Sequence, residues 1–127
     1  MGKRIIVIDD QVDVRNAFKL ALEDTDIEVD TAGSGEEGLE KIKSTSYDLI
    51  YLDLKMPGID GVETLLAIRG MDPTIPVYVI TAFLAEFMNG LKKVQAAGYE
   101  FELVKKPLEM TEIRDVTCSI VDGKIKC

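Results

Sequence analysis

The sequence predicts an α/β fold, a five-stranded parallel sheet with helices on both faces, and two observations predict it. Short apolar runs of strand length alternate five times with segments whose apolar residues recur at helical spacing. The connections between them are short, without an internal repeat, linker or low-complexity stretch. Such alternation is typical of βαβ units with right-handed crossovers, which build a doubly wound sheet. The length also suits one domain, so residues 1–127 are predicted to form a single domain.

Five strands are predicted from short runs that are either continuously apolar or alternate between apolar and polar residues. Polar or turn residues bound each run. The second run alternates, which predicts a position at or near an edge of the sheet. The predicted strands are Arg4–Ile8, Ile27–Thr31, Asp48–Leu52, Val77–Thr81 and Phe101–Val104.

Four helices are predicted from apolar residues spaced three and four apart. Ser34 can cap the second helix, and Gly70 and Gly98 stand just past the predicted ends of the third and fourth. Gly90 weakens the centre of the fourth helix by about 1 kcal/mol relative to alanine. The predicted helices are Val12–Leu22, Glu36–Lys43, Gly61–Arg69 and Ala85–Ala97.

The C-terminal segment fits two structures. Apolar residues at helical spacing over 113–121 predict a fifth helix, which is the preferred structure. Residues 116–121 are also rich in strand formers, and the Asp-Gly pair that follows them is a strong hairpin turn. In the hairpin, Cys118 would lie opposite Cys127 and a disulfide could form, although a cytosolic location disfavours one.

Composition argues against several classes of function. The formal net charge of −8 disfavours nucleic-acid binding, which needs clustered Lys and Arg. The chain has no histidine, so the commonest general base and metal ligand are absent, and its two cysteines match no zinc spacing. The apolar stretch near the N-terminus is too short for a signal peptide, and no segment reaches the ~18 apolar residues of a membrane span. We therefore expect a cytoplasmic protein that does not contact a membrane.

A charged residue ends the most apolar strand. Asp53 closes the run that begins at Asp48, and the turn residues Pro57 and Gly58 follow soon after it. The carboxyl end of a parallel strand is where open α/β sheets place their ligand sites. Burying an unpaired carboxylate costs several kcal/mol or raises its pKa. We therefore expect Asp53 either to be fully exposed or to have a cationic partner.

Polar side chains follow three other strands at the same edge of the sheet: Asp9 and Asp10, then Thr81, then Lys106. Singly, each has an ordinary structural explanation, such as a solvated turn or a strand-forming threonine. Together with Asp53 they favour a functional site. Clustered carboxylates repel one another, and all-oxygen ligands suit Mg²⁺ or Mn²⁺ rather than zinc. The lysine would offset the remaining charge and hold a phosphoryl oxygen, to which the threonine hydroxyl would also donate.

Four stretches carry a resemblance to a known family: residues 6–10 (IVIDD), 48–61 (DLIYLDLKMPGIDG), 79–82 (VITA) and 104–107 (VKKP). The second stretch is the most specific. Over essentially its full length the chain resembles the receiver domain of bacterial two-component response regulators. The resemblance implies a flavodoxin-like (βα)5 fold, and the length implies a single receiver domain without an output domain.

The resemblance implies that Asp53 is the phosphoacceptor, which takes a phosphoryl group from the phosphohistidine of a sensor histidine kinase or a histidine phosphotransfer protein. Thr81 and Lys106 would bind the attached phosphoryl group. The chain would then signal through a protein interface or pass the group on in a phosphorelay. It would not act as an enzyme beyond its own phosphorylation and autodephosphorylation.

The resemblance also implies a Mg²⁺ site, in which Mn²⁺ could replace Mg²⁺. Asp10 and Asp53 would bind the ion directly, together with the backbone carbonyl of Lys55. Asp9 would contribute through a water molecule.

Two departures from the family pattern affect the signalling surface and the site. Leu103 stands three residues before Lys106, where family members usually carry an aromatic switch residue. The segment from Gly98 to Lys106 is one residue longer than usual, which leaves Lys105 as an alternative active-site lysine, although the Lys-Pro pair favours Lys106. A downstream protein target is expected on the face of the fourth helix and fifth strand, because the fourth helix has more apolar residues than one buried face needs.

Three alternative functions fit the sequence less well. An aspartyl-phosphate hydrolase would carry a second Asp two positions after the nucleophile, where this chain has Lys55. A nucleotide- or flavin-binding module would need a Gly-rich phosphate loop after the first strand, where this chain has Asp9 and Asp10. A receiver-like interaction module that is not phosphorylated stays open, because Leu103 replaces the switch aromatic.

Overall fold

The computed structural model of the chain describes residues 3–106 and 108–121, in which five strands alternate with five helices. The predicted bounds of every strand and of the first four helices are met to within two residues. The strands are Arg4–Ile8 (β1), Glu28–Ala32 (β2), Leu49–Asp53 (β3), Val77–Thr81 (β4) and Glu102–Lys105 (β5). The helices are Val12–Leu22 (α1), Gly35–Ser44 (α2), Gly61–Met71 (α3), Leu84–Ala96 (α4) and Met110–Val121 (α5).

All five strands are parallel and lie in the order β2-β1-β3-β4-β5, which confirms the predicted fold class. The alternating strand β2 forms one edge, as its sequence predicts. Strand β2 pairs with one side of β1, and β3 pairs with the other side. The strand order therefore reverses between β1 and β3, and ligands bind such sheets in the crevice outside the carboxyl ends of these two strands.

The core lies on both faces of the sheet, and successive strand residues alternate between them. On one face Ile6 and Leu52 pack with α2, α3 and α4. On the other face Val7 and Tyr51 pack with α1 and α5, and the Tyr51 hydroxyl lies 2.7 Å from Thr117 Oγ1 in α5. In the described ranges no helix is long and apolar enough to cross a membrane.

Helix α3 continues through Gly70 to Met71, so the prediction that Gly70 lies past its end is wrong. The backbone N–H of Asp72 still donates to the carbonyl of Ile68 at 2.8 Å, which keeps Gly70 inside the hydrogen-bonded turn. Pro73 follows, and a proline restricts the residue before it to an extended backbone. The helix therefore ends because of Pro73.

The C-terminal segment is helical from Met110 to Val121, which confirms the preferred fifth helix and makes the hairpin over 116–121 wrong. Its buried residues Ile113, Thr117 and Cys118 recur at helical spacing and face the sheet. That packing is unavailable to an exposed two-stranded hairpin. Cys127 and the Asp-Gly turn lie outside the described residues.

Candidate functional site

The site lies at the carboxyl ends of β1, β3, β4 and β5. Asp53 is the last residue of β3 and Thr81 the last residue of β4, and their exposures are 3% and 2%. Asp9 follows β1 and is fully buried, whereas Asp10 beside it is exposed. Lys106 follows β5, and its backbone N–H donates to the carbonyl of Thr81 at 3.1 Å. The sheet therefore brings all five predicted side-chain positions to one crevice.

The Lys106 ammonium is the cation next to the acids. Its Nζ lies 2.8 Å from Asp9 Oδ2 and 3.4 Å from Asp53 Oδ2. Lys105 instead lies within β5, is exposed, and is in register with Thr81. The structure thus places Lys106, and not Lys105, beside the buried carboxylates. Of the two alternatives posed for Asp53, burial with a cationic partner is the one observed.

Burial raises the pKa of the Asp53 carboxyl from 3.8 to about 6, and the negative charge of Asp9 adds to the rise. The Lys106 ammonium and a hydrogen bond from the Lys55 backbone offset part of it. Charging Asp53 in the metal-free protein therefore costs free energy. Additional positive charge in the crevice would reduce that cost.

Asp53→Asn is expected to stabilise the metal-free protein at neutral pH. Because the folded-state pKa of Asp53 is raised, the carboxyl contributes its full stability below about pH 4 and loses it as the pH rises through about 6. Asparagine stays neutral, so the free energy of unfolding of the variant should exceed that of the wild type, and the difference should grow over this range to about 1–3 kcal/mol. Urea unfolding in EDTA across these pH values measures it, and a pH-independent difference would contradict the prediction.

The acidic cluster fits a divalent cation. Carboxylate oxygens of Asp9, Asp10 and Asp53 all lie within 4.8 Å of one another, so one ion can contact the three groups directly or through water. Asp9 Oδ2 is, among the described residues, the buried side-chain oxygen that accepts no hydrogen bond, although the Lys106 ammonium is close to it. A carboxylate oxygen can accept more than one contact, so Asp9 Oδ2 can contact a metal or its water in addition to the ammonium. The exposed Asp10 leaves the site open to water ligands, as Mg²⁺ and Mn²⁺ require.

The β4–α4 loop forms the opposite wall of the crevice. Thr81 Oγ1 accepts a hydrogen bond from the backbone N–H of Phe83 at 2.9 Å. The hydroxyl proton of Thr81 takes no part in that bond. Lys55 Nζ lies 4.2 Å above the Phe83 ring and 3.4 Å from Glu86 Oε1. These contacts link the β3–α3 loop to α4 across the mouth of a cleft of about 350 Å³, and the buried Asp53 is one of the residues that line this cleft.

Three residues that support the site were not predicted from the sequence. Arg15 donates from Nη1 to the carbonyl of Asp9 at 2.7 Å, and Gln11 Oε1 accepts from Lys106 Nζ at 2.9 Å. Glu36 Oε2 accepts from the backbone N–H of Ile59 at 3.2 Å and so holds the loop after β3. Gln11 had a signal, since it is a polar side chain directly after the Asp pair. The contact of Glu36 joins residues 23 apart and leaves no mark in the pattern.

Comparison with known proteins shows similarity to one family. The sequence profile of the response regulator receiver domain matches residues 5–117. Transcriptional regulatory protein ResD of Bacillus subtilis is 34% identical over 110 residues, which are 87% of this chain and 44% of ResD. Sporulation initiation phosphotransferase F of the same organism is 30% identical over 115 residues, which are 91% of this chain and 90% of that protein.

Among solved structures, response regulator protein TrrA of Thermotoga maritima, in complex with Mg²⁺ and BeF, superposes with a TM-score of 0.76 at 31% identity. The match covers 93% of this chain and 98% of TrrA. The chain therefore spans less than half of ResD but nearly all of TrrA and of the phosphotransferase.

Proposed function

Because the chain belongs to the response regulator receiver domain family, we propose that it accepts a phosphoryl group on Asp53 from a phosphohistidine. One observation carries the proposal. Asp53 is a buried carboxylate at the strand-order reversal, next to two other acids and 3.4 Å from the Lys106 ammonium. A buried acid whose pKa is raised to about 6 destabilises the metal-free fold, so its presence favours a role in reaction or binding.

In the proposed reaction, a carboxylate oxygen of Asp53 attacks the phosphorus atom of the donor in line with its P–N bond. The new P–O bond forms as the P–N bond breaks, and the electron pair of the P–N bond stays on the imidazole nitrogen, which takes a proton from water. An ionised carboxylate needs no separate general base. These 127 residues contain no histidine, so the donor imidazole lies outside them.

Phosphoryl transfer asks the protein mainly for positioning and charge neutralisation. Lys106 would pair with one phosphoryl oxygen, and the Thr81 hydroxyl would donate to another. Mg²⁺, or Mn²⁺ in its place, would neutralise the acids and the incoming phosphate when bound by Asp10, Asp53 and the Lys55 carbonyl, with Asp9 bound through water.

We propose a sensor histidine kinase or a histidine phosphotransfer protein as the donor. The nearly end-to-end match to a protein named a phosphotransferase supports passing the group on in a relay. A protein target would contact α4 and β5, where Met88 and Leu103 are 37% and 44% exposed, and Phe83 just before α4 is 46% exposed. Exposed apolar side chains on neighbouring elements favour a protein contact. The proposal includes a cytoplasmic location and no nucleic-acid partner.

A small phosphodonor tests the proposal. Acetyl phosphate with Mg²⁺ is expected to add one phosphoryl group per chain, which intact-mass spectrometry detects. EDTA should prevent the addition, because the clustered carboxylates then repel the anionic donor, and alkaline hydroxylamine should remove the group, because an acyl phosphate is labile to it. A folded chain that gains no mass, and whose amide NMR spectrum does not respond to Mg²⁺ with beryllofluoride, would refute the proposal.

A receiver-like interaction module that is not phosphorylated is the second candidate. It is favoured by Leu103, which lies exposed on β5 and cannot supply a rotating aromatic side chain. Under this candidate the chain gains no mass from acetyl phosphate. Any partner would then bind the wild type and Asp53→Asn equally.

A further inference from the structure

One residue contacts both members of the ion pair at the base of the crevice. The backbone N–H of Gln11 donates to Asp9 Oδ1 at 2.9 Å. Its side-chain Oε1 accepts from Lys106 Nζ, also at 2.9 Å. Gln11 itself is exposed and lines the mouth of the cleft. It therefore offers the ammonium an uncharged acceptor on the solvent side of the buried acids.

The Lys106 ammonium and a divalent cation compete for the same oxygens. In the structure the ammonium lies 2.8 Å from Asp9 Oδ2 and 3.4 Å from Asp53 Oδ2. A cation among these carboxylates would repel the ammonium and replace it as the partner of their negative charges. Lys106 would then lose much of its carboxylate contact while remaining tethered by the bond between its backbone N–H and Thr81. Gln11 Oε1 is the contact of the ammonium for which such a cation does not compete.

We propose that Gln11 is a positioning residue that holds the Lys106 ammonium when a divalent cation displaces it from Asp9 and Asp53. This inference rests on the proposed function, because it assumes that the acidic cluster binds Mg²⁺. In the structure the Gln11 bond is one of three contacts of the ammonium, and with a cation bound by the acids it would become the main one, so it would stabilise the cation-bound arrangement more. A contact that is stronger in one state shifts the equilibrium toward that state. Gln11 thus raises the affinity for the cation and leaves the ammonium at the cleft mouth.

The test measures the Mg²⁺ dissociation constant from amide NMR shifts of the full chain at fixed neutral pH. Gln11→Met keeps the length of the side chain but removes the acceptor, and it should raise the dissociation constant about three- to tenfold, as expected for losing part of a hydrogen bond to a charged group. Gln11→Glu restores an acceptor for the ammonium and should bind Mg²⁺ at least as tightly as the wild type. Gln95→Met, at an exposed position on α4, is the matched control and should change nothing.

A double-mutant cycle with Lys106→Met separates positioning from a general structural effect. In that background Gln11→Met should change the Mg²⁺ dissociation constant less than about twofold, because the ammonium that it holds is gone. Lys106→Gln provides a second background if the first does not fold. An unchanged or tighter Mg²⁺ affinity in Gln11→Met, or an equal loss in both backgrounds, would overturn the inference. A wild type that binds no Mg²⁺ would instead refute the proposed function.

Discussion

Asp53→Asn is expected to reduce phosphoryl incorporation from acetyl phosphate to background. The side chain is held at the end of β3, where the isosteric amide fits the same volume, so the fold and the crevice should be retained. An amide oxygen carries no formal charge and is a much weaker nucleophile than a carboxylate, so the P–O bond does not form. Intact-mass spectrometry with Mg²⁺ present measures the result.

The matched control lies next to the other end of the same strand. Asp48 precedes β3, is exposed, and accepts a hydrogen bond from the Arg4 backbone at 3.0 Å, on the edge of the sheet away from the site. Asp48→Asn should therefore accept one phosphoryl group as the wild type does. Peptide mapping after borohydride trapping should assign that group to Asp53. Incorporation by Asp53→Asn at the wild-type level would remove Asp53 as the acceptor and with it the proposed chemistry.

Much of the fold could be predicted because it depends on local patterns. The apolar strands and the helical spacing recur in each unit, and parallel pairing follows from their alternation. The error at Gly70 arose because a local signal was weighed without its tertiary setting. Gly70 looks like a helix terminator, yet the hydrogen bond from Asp72 carries α3 past it. Gly90 weakens α4 by propensity, yet a Cβ there would lie 3.0 Å from Val62 in α3, so the close approach of the two helices explains the glycine.

The side chains of the site could be predicted because the carboxyl ends of parallel strands meet at one edge. What the sequence could not supply is the environment of those side chains. The raised pKa of Asp53 depends on burial and on the distance to Asp9, which only the folded sheet fixes. The contact between Gln11 and Lys106 joins residues 95 apart and depends on where two flexible side chains point. The sequence patterns thus predicted which side chains form the site, whereas the packing of the folded chain determines the electrostatic environment of these side chains.

Gly61→Ala is expected to lower the free energy of unfolding by about 2–3 kcal/mol, the cost of forcing extra volume into a packed interior. Gly61 is the first residue of α3, and its backbone N–H donates to the carbonyl of Leu54 at 2.8 Å. A Cβ at this position would collide with the carbonyl oxygen of Asp53 and with the Cα of Leu54. Both obstacles are backbone atoms, so no side-chain rotation relieves them, and α3 or the end of β3 has to move.

Gly70→Ala, in the same helix, is the matched control and should have the opposite sign. A Cβ at Gly70 meets no atom within 4 Å, and alanine is a better helix former than glycine by about 1 kcal/mol. Urea unfolding of both variants compares their stabilities. Equal effects would mean that the contact between α3 and the end of β3 is not close. Effects of opposite sign would establish that α3 is packed directly against the backbone of Asp53. In that case Gly61→Ala should also slow phosphoryl transfer, because it displaces the acceptor. Gly70→Ala should leave the rate of transfer unchanged.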